Sequence, residues 1–186
     1  MKLTLYITSS LITFILISSS VVSATEQKII FPMSKGDKSI VLEFSGEVYN
    51  KTTSINISDE STHAIATFIN KLIVSNASGD KNKILNLWSD NYKKEIDLVM
   101  SDPKRIERNA ALFRNMKSSK LMGYIEYGEY IICYVYHDIN NGQGEVYLKE
   151  YPIKLTSKGY VLTNDLSKDI FFSQISYNLA QHIWQR

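Results

Sequence analysis

The hydrophobic period of the chain changes from helical to strand-like near Ser118, and that change limits the folds open to it. Ahead of it, Ile65, Phe68, Ile69, Leu72 and Ile73 fall at i, i+3, i+4, i+7 and i+8, the stripe of a helix buried on one side. Beyond it, "KLMGYIEY", "YIICYVYHD", "EVYLKEYPIKL" and "YVLTND" read as strands. Gly128, "INNGQG" and "TSKG" separate them with the turn chemistry of an antiparallel meander. Helices in one block and antiparallel strands in the next predict an α+β domain with its helices on one face of a sheet.

The helical block is punctuated. Ser58 or Ser61 can cap the first helix, Gly79 ends it and Asp80 caps the next. Ile84, Leu87 and Trp88 form a second stripe, and a segment from Tyr92 to Met100 places Tyr92, Ile96 and Val99 on one side. Asp102-Pro103 opens a fourth helix that turns Ile106, Ala110 and Phe113 inward. At the far end Phe171, Ile175, Leu179 and Ile183 recur every four residues, which predicts a C-terminal helix capped at Ser167. Upstream of the helices, "KIIFPM" and "SIVLEFSGEVY" predict a β-hairpin over residues 28–50 turning at Gly36, followed by the polar connector "NKTTSINISDES".

Residues 1–24 are set apart. Lys2, the apolar run "LYITSSLITFILISSSVV" and the small residues Val22-Ser23-Ala24 predict a secretory signal peptide cut after Ala24 and a periplasmic or secreted product with no stable membrane anchor. The remainder divides into a hairpin with connector over 25–60 and an α+β domain over 61–186. Charge is nearly balanced, 21 Lys and Arg against 19 Asp and Glu, so no nucleic-acid partner is expected. The basic residues between 93 and 120 are interleaved with acids, as on a solvated helix face.

Cys133 is the single cysteine, so no intrachain disulfide forms and the core alone must hold the fold. It lies in an apolar strand, as a small buried hydrophobe does. His63, His137 and His182 lack ligand spacing, so neither a metal nor a cofactor is expected.

The order of these elements, with "SGD" ending the long helix, then "KNKILNLWSD", "IEYGEYIICYVYHD" and "KGYVLTNDL", resembles the nuclear transport factor two-like superfamily in its small exported bacterial form, over roughly residues 61–168. The resemblance implies a curved antiparallel sheet wrapped around helices as a cone with an open mouth. It also implies relatives that include isomerases, dehydratases and cyclases alongside non-catalytic domains, and a homodimer through the sheet. Enzymes of that superfamily place a carboxylate base, or a His and Asp pair, in the cone, often with a tyrosine donor.

Against that pattern the groups available are Asp90, Tyr92, Tyr124, Tyr130, Tyr134, Tyr136, His137 and Asp138. His137 and Asp138 are adjacent on a strand and point to opposite faces, so they do not pair, and a solvated strand end accounts for both. Asp90 in "WSDN" reads as a helix cap. Asp90 and His137 are therefore weak catalytic candidates. Trp88, Tyr92, Tyr130, Tyr134 and Tyr136 are the candidate ligand contacts, since aromatic surface with a polar handle recurs in pockets. Alternate residues of the strand split into a tyrosine face and a face bearing Cys133 and His137, and either can line the cone. The reading is of an exported non-catalytic domain that binds a small apolar ligand or a protein partner. Its alternatives are a small cofactor-free enzyme and an immunity or accessory protein that blocks a partner.

Overall fold

The computed structural model describes residues 29–35, 38–50, 52–140, 145–173, 176 and 180. The expected signal peptide, the turn at Gly36, residues 141–144 of the "INNGQG" turn, and Ile175, Leu179 and Ile183 lie outside the described residues. The fold is α+β. β1 (Ile29–Lys35) and β2 (Lys38–Phe44) form the expected antiparallel hairpin. One residue later β3 (Gly46–Val48) joins the main sheet, and β4 (Ile55–Asn56) follows on the same edge.

Four helices come next: α1 (Ala64–Ser78), α2 (Lys81–Leu85), α3 (Asp90–Val99) and α4 (Pro103–Arg114). The stripe read for α1 is buried, with Ile65, Phe68, Ile69 and Leu72 all inside. Gly79 ends that helix at φ 67°, a left-handed conformation that costs glycine little, and Asp80 then accepts from the amides of Asn82 and Lys83. Asp102 caps α4 with Pro103 behind it. Two expected caps are replaced. His63, not Ser58 or Ser61, caps α1 through Nδ1, and Asp169, not Ser167, accepts the Phe172 amide at 2.8 Å.

The meander is β5 (Met116–Tyr127), β6 (Tyr130–Ile139), β7 (Val146–Thr156) and β8 (Gly159–Leu162), all antiparallel. The sheet runs β3-β5-β6-β7-β8, with β4 also on β5. A register shift between Leu121 and Gly123 sets Met122 outside the ladder pairing.

Both faces of β6 are covered, by different parts of the chain. Cys133 and Val135 meet Ile69, Leu72 and Leu87, so α1 and the segment after α2 cover that face. Ile132 and Tyr134 meet Phe44, Leu166, Phe172 and Ala180, which come from the two ends of the described chain. Each fully buried aliphatic side chain in these clusters contributes about 1.5–3 kcal/mol. The C-terminal turn is rotated from its expected phase, because Phe172 is buried and Phe171 remains 39% exposed.

Candidate functional site

Between the helices and β7 lies a cavity of about 440 Å³. Its helix wall is apolar: Leu72 from α1, Ile84 from α2, Trp88, Ile96 and Met100 around α3, and Phe113 from α4. Polar groups interrupt this wall where α1 meets α4, since Asn109 donates to Asn76 Oδ1 at 2.7 Å and Asn76 donates to the Leu72 carbonyl at 2.8 Å. The strand wall carries Tyr147, Lys149 and Tyr151, and Glu150 and Pro152 of the alternate positions border the cavity as well. Alternate residues of a strand share a face, so Tyr147, Lys149 and Tyr151 stand in one row toward the helices. Thr163 and Asn164 close the end beyond β8.

Tyr151 leads to a buried polar chain. His137 is fully buried, its Nδ1 2.7 Å from Ser119 Oγ and its Nε2 2.9 Å from Tyr151 Oη. A neutral imidazole donates through one nitrogen and accepts at the other. Either Ser119 donates to Nδ1 while Nε2–H donates to Tyr151, or Nδ1–H donates to Ser119 while Tyr151 donates to Nε2. Burial and the nearby Lys149 push His137 down to about 4, and burial pushes the Tyr151 phenol up. Around neutral pH the chain is therefore uncharged.

The structure corrects the reading of His137 as a solvated residue at a strand end. Its partner strands β5 and β7 flank it at Ser119 and Tyr147, which removes it from water. Asp138 points the other way, as alternation requires, and does not contact it as a partner. Asp90 is not the cap but the first residue of α3, with Ser89 at the cap position. It is exposed, and Lys93 at 2.7 Å holds its carboxyl below the usual range.

Of the candidate ligand contacts, Trp88 lines the cavity. Its neighbours fasten it to the sheet edge, because Leu162 donates to the Leu87 carbonyl at 2.7 Å and Ser89 donates to the Leu162 carbonyl at 2.9 Å. Tyr92 donates to Asp165 Oδ1 at 2.8 Å, and Tyr130 contributes to holding the same carboxyl below its usual range. The Tyr92 phenol ties α3 to the short 3-10 helix Asp165–Lys168. Tyr134 is fully buried on the opposite sheet face, where the half-buried Tyr136 also packs. Tyr147, Lys149, Tyr151, Asn76 and Asn109 were not among the residues singled out from sequence; the alternation in "VYLKEY" carries the signal for the first three.

A second cluster sits at the start of α1. Tyr49 donates to Glu47, whose charge also bears on Tyr124, and the His63 ring lies edge-on to Tyr49. Burial pushes Tyr124 up to about 12, with Glu47 adding to the shift. This group fastens β3 and β5 to the helix start.

Among the described residues no group of three or more His, Cys, Asp and Glu could hold a metal ion, and no helix is long and apolar enough to cross a membrane. No family model matches the chain, and neither a curated protein nor a solved structure does.

Proposed function

We propose that this is an exported, non-catalytic domain of the nuclear transport factor two-like kind, binding a small apolar molecule in the cavity between its helices and β7. The observation that carries the reading is the cavity itself. At about 440 Å³ it falls within the ~300–1,000 Å³ of small-molecule sites, with apolar walls and a few fixed polar groups. An acid/base role fits less well. A general acid or base works best with a pKa near the working pH, whereas burial moves His137 and Tyr151 away from neutrality in opposite directions. Recognition through the sheet also fits less well, because Leu166, Phe172 and Ala180 already occupy its second face at Ile132 and Tyr134.

The test is titration of the protein with a solvatochromic apolar dye, followed by the same titration of Met100→Trp, which adds bulk inside the cavity. Saturable binding that Met100→Trp weakens at least ~10-fold is the expected result. Binding that ignores the added indole, or no binding of any apolar compound, overturns the reading.

A further inference from the structure

The helix wall of the cavity is apolar, but the strand wall carries a cation. Lys149 is the one basic residue lining the cavity among the described residues, and it makes no ion pair with any of them. It stands between Tyr147 and Tyr151 on the helix-facing row of β7. Its neighbour Glu150 also borders the cavity and feels the Lys149 charge, although it alternates to the other face of β7 and pairs with Tyr134 of β6. Within the helix-facing row itself, Lys149 is flanked by Tyr147 and Tyr151 and by no carboxylate.

This placement selects a ligand. The four methylenes of a lysine extend an apolar wall while its ammonium stays hydrated at the rim. A carboxylate meeting that ammonium at the rim gives up little of its own hydration, so the pair escapes the desolvation cost of a buried ion pair. The half-buried Tyr147 phenol, one alternate position away, supplies a hydrogen-bond donor on the same row. A cationic head group would meet like charge at Lys149, and a neutral one would gain no ionic contact from it.

We propose that the cavity takes an apolar monocarboxylic acid, its carboxylate at Lys149 and its hydrocarbon against Trp88, Met100 and Phe113. The proposal rests on the reading of the cavity as a ligand site. It is tested by calorimetric titration with decanoate, 1-decanol and decylamine, three chains of equal length that differ in head-group charge. Decanoate is expected to bind at least ~10-fold more tightly than decanol, with decylamine weakest. Lys149→Met keeps the apolar stem and should bring decanoate to within about twofold of decanol measured on the same variant.

The failures are separable. Decanol matching or exceeding decanoate overturns the acid head group and leaves the apolar site standing. A decanoate preference that survives Lys149→Met overturns the assignment to Lys149. Absence of binding by all three overturns both the head group and the cavity reading.

Discussion

The Nε2 atom of His137 lies 2.9 Å from the hydroxyl oxygen of Tyr151, and the two rings meet edge to face at 90°. Burial holds this imidazole neutral down to about 4, against 6.5 for a free histidine. Between those values the unfolded chain binds more protons than the folded one. The stabilisation is therefore complete above about pH 6.5 and is lost as pH falls toward 4, by at most about 3 kcal/mol. Urea unfolding at pH 7 and pH 4.5 should show the wild type losing more stability than His137→Gln. Groups such as Glu150 titrate in both proteins and cancel in the comparison. Parallel losses would mean that His137 is not held neutral.

Close approach of β3 to β5 gives a second prediction. A Cβ on Gly123 would sit 2.5 Å from the Glu47 carbonyl oxygen, and one on Gly46 would sit 2.1 Å from that of Tyr124. Backbone cannot yield as a side chain can, so Gly123→Ala should cost about 2–4 kcal/mol. Gly128→Ala is the control. Its Cβ would meet nothing within 4 Å at φ +61°, leaving only a conformational cost of about 1 kcal/mol. Equal melting temperatures for the two variants would contradict the β3–β5 contact.

Cys133 should be chemically silent while the fold is intact. Its side chain is fully buried and desolvation raises its pKa far above that of a free thiol. Thiolate is the reactive form, so a disulfide reagent should modify the native protein at least ~100-fold more slowly than the protein in guanidinium. Modification at comparable rates would place the thiol at the surface.

Two residues near α3 should behave differently. Tyr92→Phe removes the hydroxyl that reaches Asp165 at 2.8 Å and should cost about 1 kcal/mol. Asp90→Asn removes one partner of an exposed ion pair and should leave the unfolding midpoint where it was. Neither change should alter apolar-ligand affinity. A loss of affinity in Asp90→Asn would return that carboxylate to the site.

Local signals in the sequence located most elements, because hydrophobic period and turn chemistry act over a few residues. The α1 stripe, the Gly79-Asp80 junction and the Asp102-Pro103 start all stand where the sequence places them. What sequence left out depended on distant partners. His63 caps α1 beside Tyr49, just after β3, and Tyr124 of β5. Asp169 caps the C-terminal turn while accepting from the Tyr127 hydroxyl at 2.9 Å, and Tyr127 packs on both Phe171 and Phe172. The cavity is harder still to read, since its walls come from α1, α2, α3, α4 and β7. Trp88 stands out in sequence as a large aromatic in the second apolar stripe. Lys149 looks in sequence like any surface lysine.

Adjacent positions along β6 belong to separate compartments. Cys133 and Val135 border the helix-covered core, while Ile132 and Tyr134 border the core closed by the ends of the chain. One substitution in this strand therefore reaches one compartment only: enlarging Cys133 strains the packing under α1, whereas trimming Ile132 opens a void beside Phe44, Leu166 and Phe172 and leaves the helix-covered side filled.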